Sequence, residues 1–376
     1  MNLKLCCPTL FGLEGLVGDE LRYQGKLEQV QVENGRVVFW GDERTLIWAN
    51  LWLRCAERVL IEVGAFQAKN FDQLFEGIKG LPWEQYIPVD GAFPVKGYSL
   101  NSKLHSVPDC QKIIKKATAD RLQSVYHNTL EETGAKYQIQ FSIMKDQVTV
   151  YLDTSGAGLH KRGYRANANA APLRETLAAA MVKLARYKGR DTLYDPFCGS
   201  GTLTIEGAWA AQNRAPSLMR QFAAESWDWL APSLWQTERE QAKAQIQEKE
   251  LQIFGSDMDP ACVQLSQENA EKAGLNGIIQ YSQQDACRLD YGQMSGTMLC
   301  NPPYGERLGD IEEAQALYHR LGEACAKSSL KKYILTSDEE FEHFFGKKAD
   351  KRRKLYNGML KCNLYMYFKD ISFRKG

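Results

Sequence analysis

Apolar positions over the first part of the chain fall into short runs and helical stripes. Leu3 to Cys7 is an apolar run that predicts a strand, and Gly12 to Tyr23 aligns Leu13, Leu16, Val17 and Leu21 on one helix face. Gln29–Val32 and Arg36–Trp40 flank Glu33-Asn34-Gly35, which is hairpin chemistry. Asp42 to Cys55 follows as a helix carrying Leu46, Ile47, Ala49, Leu51 and Leu53. A second unit then reads as strand Val59–Phe66, helix Phe71–Lys79, strand Phe93–Gly97 and a helix opened by Pro108 and Asp109. Tyr137–Ile143 and Gln147–Leu152 close it as a hairpin around Lys145-Asp146. Two small α+β units are therefore expected, over residues 1–55 and 56–155.

Gly156 to Ala171 breaks the pattern and predicts a linker. Beyond it, Pro172–Ala185 predicts a helix, and strands then alternate with helices, as in a parallel α/β sheet with covering helices. The strands are Thr192–Tyr194, Gln252–Asp257, Ile278–Ser282, Gly296–Cys300 and Lys331–Thr336, with Leu203–Ala211, Pro260–Ala273, Gln315–Cys325 and Glu339–Phe345 as helices. A last hairpin, Lys354–Tyr356 with Met359–Phe368, is expected to turn at Asn357-Gly358. Asn213 to Glu250 is an insertion, first rich in tryptophan (Trp227, Trp229, Trp235) and then a charged helix; its tryptophans predict a packed lid or core patch.

Composition narrows this little. At 376 residues the chain exceeds one ordinary core, and 44% hydrophobic with 25% charged residues is a globular balance. A net charge of +1 excludes a uniformly basic nucleic-acid glove, so charge has to be read locally. No apolar run reaches the roughly 20 residues a membrane helix needs. Leu10 to Leu21 is broken by Glu14, Asp19 and Glu20, so no signal peptide is expected. The ten cysteines form no C-x-x-C pair and have no histidine cluster beside them. A reduced cytoplasmic chain without metal is the expectation.

The candidate chemistry begins at Asp195-Pro196-Phe197-Cys198-Gly199-Ser200-Gly201-Thr202, between a strand and a helix. Glycines let a backbone approach a ligand closely, and the helix N-terminus offers unpaired N–H groups and a partial positive charge. Asp257 ends the next strand, where an acidic residue can accept the hydroxyls of a ribose. Asp259 is placed to cap the following helix. Asp285 either receives an adenine amino group or is a turn carboxylate. Asn301-Pro302-Pro303-Tyr304 follows another strand, at the carboxyl edge where open α/β sheets bind ligands. The Asn301 side-chain carbonyl and the Pro302 backbone carbonyl can accept the hydrogens of an exocyclic amine, and Tyr304 can stack on its base. That role requires the Tyr304 ring to face the cleft; a ring turned into the core would count against the enzyme reading. Together these features suit a methyltransferase using S-adenosylmethionine. A dehydrogenase would show G-x-G-x-x-G, and a P-loop would show Gly-Lys-Ser/Thr; neither is present.

Two basic stretches complete the picture. Lys112, Lys115, Lys116 and Arg121 share the helix after Pro108, with Lys103 and His105 in the loop before it. They make either a solvated face or a phosphate-contact surface. In the linker, Lys161, Arg162, Tyr164 and Arg165 make a tether, or a segment facing RNA or the cofactor; Arg162 and Arg165 are counted with the RNA candidates.

Ser102-Lys-Leu-His-Ser-Val-Pro-Asp-Cys110 and its basic helix resemble the THUMP RNA-binding module. His160-Lys-Arg-Gly-Tyr-Arg165, Leu173-Arg-Glu-Thr-Leu-Ala-Ala179, the glycine loop, Asn301-Pro-Pro-Tyr-Gly-Glu-Arg307 and Lys354-Leu-Tyr-Asn-Gly358 extend the likeness over nearly the whole chain. The chain resembles the THUMP-containing guanine-N2 methyltransferases of bacterial large-subunit ribosomal RNA. The resemblance implies a ferredoxin-like piece, a THUMP domain and one Rossmann-like class I methyltransferase domain over residues 172–376. It also implies S-adenosylmethionine as cofactor, with 23S rRNA or an assembling large subunit as partner. The same chemistry on transfer RNA guanine or on adenine N6 is an alternative, and a non-catalytic RNA-binding or ribosome-assembly protein is another.

Overall fold

The computed structural model describes residues 1–165, 173–304 and 311–369. Its first finding is that the two N-terminal units share one sheet. The strands are β1 (Leu3–Pro8), β2 (Val30–Glu33), β3 (Arg36–Gly41), β4 (Leu60–Gln67), β5 (Val95–Leu100), β6 (Ile139–Met144) and β7 (Gln147–Asp153). They are ordered β2-β3-β1-β4-β7-β6-β5. β1 pairs with β3 on one side and, through Leu5↔Ile61 and Cys6↔Leu60, with β4 on the other. The physical reason lies in β1 itself. Leu3, Leu5 and Cys7 are buried on one face and Cys6 on the other, so β1 has to be an inner strand. The boundary expected at residues 55 and 56 falls between two strands that pair.

Local chemistry explains most of the elements. Asn34 and Gly35 form the two-residue turn between β2 and β3, with Gly35 at φ +75. The first helix is α1 (Glu14–Asp19), running on as a wider π turn over Glu20–Gln24. The next are α2 (Glu43–Trp52), capped by the Asp42 side chain, α3 (Phe71–Lys79), capped by Asn70, and α4 (Val107–Tyr126), with proline in its first turn.

The C-terminal half opens with α5 (Glu175–Leu184), followed by β8 (Leu193–Asp195) and α6 (Thr202–Ala211). Then come α7 (Pro232–Ala244), β9 (Ile253–Asp257), α8 (Pro260–Lys272), β10 (Ile279–Gln283) and β11 (Thr297–Cys300). The chain continues with α9 (Ile311–Cys325), β12 (Lys331–Thr336), α10 (Phe341–Phe345), β13 (Lys351–Asn357) and β14 (Leu360–Tyr367). The sheet order is β10-β9-β8-β11-β12-β14-β13, parallel until β14, which is antiparallel to β12 and β13. Successive strands leave β8 in opposite directions, so a crevice opens beyond the carboxyl ends of β8 and β11. The last turn is Gly358-Met359, one residue later than expected, because Asn357 pairs with Leu360 and Gly358 takes the positive φ.

Two expectations about the middle of the chain meet different outcomes. The tryptophans of the insertion are a packed patch: Trp227 stacks on Tyr137 at 4.8 Å and Trp235 on Phe222 at 5.2 Å. Trp227 also donates to the Lys136 carbonyl, which ties the insertion to the N-terminal half. The described part of the linker, however, is no tether. Arg162 and Tyr164 are fully buried, and Arg162 donates to Glu206 Oε1 (3.0 Å), the Leu159 carbonyl (2.9 Å) and the Arg54 carbonyl (2.6 Å). The expected linker residues 166–171 lie outside the described residues. Among the described residues no helix is long and apolar enough to cross a membrane.

Candidate active site

β8 ends at Asp195 and the chain turns at once into the glycine loop. Gly199 and Gly201 take φ +52 and +78, and a Cβ on Gly201 would come within 2.7 Å of the Tyr281 hydroxyl. The loop is held from outside. Cys198 N–H donates to the Ser256 carbonyl (2.8 Å) and Gly199 N–H to Asp257 Oδ2 (2.9 Å). From α8, Ser266 Oγ donates to the Gly199 carbonyl (2.8 Å) and Asn269 Nδ2 to the Ser200 carbonyl (3.0 Å). α6 starts with Gly201 as its N-cap and no side-chain cap, which leaves its first N–H groups for a ligand. Ser266 and Asn269 carried no sequence signal beyond lying on a helix; only the packing of α8 reveals them.

The loop borders a cavity of about 980 Å³, lined by Asp195 to Ser200, Thr202, Asp257, Asp285, Asn301 and Pro303. Leu173, Leu203, Met258, Cys262, Ala286 and, from α9, Glu313, Ala316, Leu317, His319 and Arg320 complete the wall. Gly201, Pro302 and Tyr304 do not line it. Asp257 also accepts from Asp259 N–H (3.1 Å), and Asp259 caps α8 as expected. Asp285 accepts from Cys287 N–H (2.9 Å) as the cap of a one-turn 3-10 helix, so it is a turn carboxylate that also faces the cavity. Burial pushes the Asp195 carboxyl well above the usual carboxylate range, and nearby Asp257 adds to this; its Oδ1 accepts from Phe197 N–H (3.2 Å).

Asn301 sits at the end of β11 with only 8% of its surface exposed. Its Oδ1 is buried and has no hydrogen-bond partner among the described residues. Behind it, the Tyr318 hydroxyl of α9 bonds the Pro303 carbonyl (3.2 Å) and Thr336 Oγ1 (2.9 Å), which fixes the turn. Two expectations need correction here. Pro302 is buried, and the Tyr304 ring lies in the hydrophobic core, 5% exposed, within hydrogen-bond reach of the Cys362 thiol. It offers the cavity no face, so its stacking role falls and with it one support of the enzyme reading; the glycine loop, Asp257 and Asn301 still line a single cavity, and that reading now stands on them. The apolar surroundings of the C-terminal hairpin bury the ring more favourably than an open cleft would.

The RNA candidates separate by partner. Lys103, His105, Lys112 and Lys116 are exposed. Lys115 instead pairs with Glu132 (2.5 Å) and covers the Phe93 ring at 3.5 Å, while Arg121 grips both oxygens of Glu84 (3.0 and 2.5 Å). Both are structural in this geometry. Arg162 has no surface to offer RNA, because the buried Glu206 holds it inside. Arg165 donates to Thr202 Oγ1 (2.6 Å) and to the Leu173 carbonyl (3.3 Å), so it faces the glycine loop rather than RNA.

The chemistry of this wall fits S-adenosylmethionine: open N–H groups for a carboxylate, acceptors for sugar and base, and room for a ligand of that size. The comparisons agree. Residues 4–60 match the RlmL ferredoxin-like domain, 68–153 the THUMP domain and 162–366 the RMKL-like methyltransferase domain. A candidate RNA methyltransferase of Bacillus subtilis (strain 168), YpsC, is 43% identical over 98% of this chain and 96% of its own. Ribosomal RNA large subunit methyltransferase K/L of Psychromonas ingrahamii is 34% identical over 97% of this chain but only 50% of its own. The chain thus spans about half the length of the K/L relatives. The crystal structure of SMU.472, a candidate methyltransferase complexed with S-adenosylhomocysteine, superposes with a TM-score of 0.93 at 41% identity, covering 98% of each chain.

Proposed function

The chain belongs to the THUMP-containing, RMKL-like family of S-adenosylmethionine-dependent RNA methyltransferases, and from that membership we propose that its acceptor is the exocyclic N2 of a guanine in 23S rRNA. The observation that carries the proposal is the orphaned Asn301 Oδ1 against the cavity. A buried acceptor without a partner is unfavourable by about 1–3 kcal/mol unless a ligand supplies a donor. An exocyclic amine supplies two hydrogens and no charge, which suits a neutral carboxamide.

Bound S-adenosylmethionine would supply an electrophilic methyl group and leave as S-adenosylhomocysteine when its C–S bond breaks; the rest is done by the protein. The α6 N-terminus would receive the carboxylate end of the cofactor, and Asp257 and Asp285, which line the cavity, would accept hydrogen bonds from its sugar and base. Asn301 holds the amine so that its lone pair points across the cavity and not into the ring. The carbonyl dipole of Asn301 also stabilises the positive charge that grows on nitrogen as the new bond forms. The acidified nitrogen then loses its proton to water without a dedicated base. Tyr304, buried beside Cys362, anchors the Asn-Pro-Pro turn in this geometry.

The K/L relatives are named for large-subunit ribosomal RNA, and the exposed Lys103, Lys112 and Lys116 give the THUMP face a phosphate-contact surface. No two of the ten cysteines are joined in a disulfide, which suits the reducing cytoplasm where rRNA is made. Mass mapping of modified nucleosides in RNA from cells with and without the gene tests the assignment. One N2-methylguanosine in 23S rRNA should vanish, and should return with the wild-type gene but not with Asn301→Ala. A mark lost instead from transfer RNA, or lost as N6-methyladenine, would move the activity to that substrate; no lost mark would favour a binding protein.

A further inference from the structure

We propose that the seam between the two sheets carries a second RNA-contact surface, a stacking and phosphate-binding step for the single-stranded nucleotides beside the base being methylated. The proposal rests on the RNA methyltransferase reading and adds to it a place and a set of residues. Phe11, in the loop after β1, is 60% exposed, and Met359, at the β13–β14 turn, is 99% exposed. Tyr356 joins them: its ring meets Phe11 edge-on at 6.0 Å, and Lys354 Nζ lies 5.4 Å from the centre of that ring. One N-terminal loop and one catalytic hairpin thus expose aromatic faces and a cation at the same place.

The seam is built to hold its shape. Arg353 Nη2 donates to the Gly12 carbonyl (2.7 Å), and Gly12 packs so tightly on β13 that an added Cβ would lie 2.9 Å from the Lys354 carbonyl. Glu14, the nearest carboxylate to Phe11 in the chain, is turned inward, accepting from Gly12 N–H and Gly35 N–H (both 2.9 Å). Lys354 makes no ion pair within 4 Å among the described residues; the nearby Glu339, which feels its charge, is paired with Lys361. The seam also adjoins the cavity. Arg174 N–H reaches Asn357 Oδ1 at 3.5 Å, and the residue before it, Leu173, lines the cavity wall. On the other strand of the hairpin Cys362, paired with Leu355, touches Tyr304 of the catalytic motif.

Exposed rings with cations beside them are how proteins hold unpaired nucleotides: bases stack on the rings and phosphates meet the lysines. A base reaches such a cavity either flipped out of a duplex or from a single strand, and in a single-stranded target its neighbours are unpaired and free to meet the rim. A protein partner with an apolar face would have to desolvate Lys354 and the Arg174–Glu57 ion pair (2.9 Å) there.

The test uses the full chain and a protein-free 23S rRNA transcript as probe. Wild type, Phe11→Ala, Lys354→Glu, their double variant and Met359→Asp are compared by filter binding across salt, by methylation kinetics and by calorimetry with S-adenosylhomocysteine. The double variant should raise the RNA Kd and KM about tenfold or more, with kcat within about twofold and S-adenosylhomocysteine affinity unchanged. Its salt slope should fall by about one. The exposed Met359→Asp should move the same way while melting like wild type, which guards against misfolding. Unchanged Kd and KM would overturn the proposal. So would a defect seen only on assembled subunit particles, which would give the seam to a protein partner. Failure of the underlying reading would look different, since wild type itself would then neither bind nor methylate the transcript.

Discussion

Asn301 and Asp195 line the same cavity, and their surroundings ask opposite things of them. The Asn301 carboxamide oxygen is buried without a donor, so it gains only when an amine arrives. Asn301→Ala should therefore lower kcat by about 100-fold or more, while S-adenosylhomocysteine binds within about threefold of wild type by calorimetry. Its melting temperature should hold or rise, because an unsatisfied acceptor has been removed. The Asp195 carboxyl is held by burial well above the usual carboxylate range. A carboxyl whose pKa is raised on folding binds its proton more tightly folded than unfolded. Its contribution is thus complete below the ordinary carboxylate range and is lost as pH climbs through the raised value. Asp195→Asn keeps an acceptor for Phe197 N–H and has nothing to ionise. Relative to wild type the variant should melt progressively higher from pH 5 to pH 9, and a constant difference would show that Asp195 titrates normally. Asn301 was legible in the sequence only in company: Asn-Pro is ordinary turn chemistry, but here it follows a strand in the order set by the glycine loop and the acidic strand end. The burial of Tyr304 was not, since the hairpin that covers it lies far along the chain.

Among the elements, the glycine loop and α4 show where a pattern suffices and where it fails. Asp195 to Thr202 could be read because glycine, strand end and helix start constrain each other locally. α4 offered four cations at helical spacing, and spacing alone treats them alike. Tertiary partners divide them: Glu132 takes Lys115 and Glu84 takes Arg121, while Lys112, 3.9 Å from Asp109 on its own helix, and Lys116, 5.8 Å from the Phe75 ring, stay exposed. Lys112→Glu with Lys116→Glu should therefore weaken binding to a 23S rRNA transcript and reduce the salt slope by roughly 1.4–1.8, if both contact phosphates. Lys115→Ala should instead lower the melting temperature, by removing a cation from over the Phe93 ring, and leave the salt slope alone. A slope that falls equally in both variants would return all three lysines to one surface.

At the scale of the whole molecule, the chain is joined where the sequence looked loosest. Glycines and small polar residues after Gly156 predicted a tether, but the partners that bury Arg162 are Glu206, on α6, and Arg54, just past α2, far away in sequence. Around them Glu20 accepts from Arg54 N–H (3.2 Å) and from Lys183 Nζ (2.9 Å), so the N-terminal half, α5 and α6 meet in one buried ionic network. Glu206 lies one turn along α6 from Thr202, the first helical residue after the cofactor loop. Whatever positions the N-terminal sheet on RNA is thereby fixed relative to the glycine loop. Removing one member of a fully buried pair leaves the other charge uncompensated, at about 3–5 kcal/mol, whereas replacing both with apolar side chains of similar volume is often neutral. Arg162→Ala should accordingly lower the melting temperature steeply and weaken S-adenosylhomocysteine binding, although Arg162 does not line the cavity. Glu206 also pairs with buried Arg54 at 3.9 Å, so only the triple replacement Arg54→Met, Arg162→Met and Glu206→Leu should recover most of the stability. The discriminating measurement is cofactor affinity in that triple variant. If it recovers together with stability, packing at the weld is what holds the loop. If stability returns while cofactor affinity stays low, the charges themselves orient α6, and the network belongs to the catalytic machinery as well as to the fold.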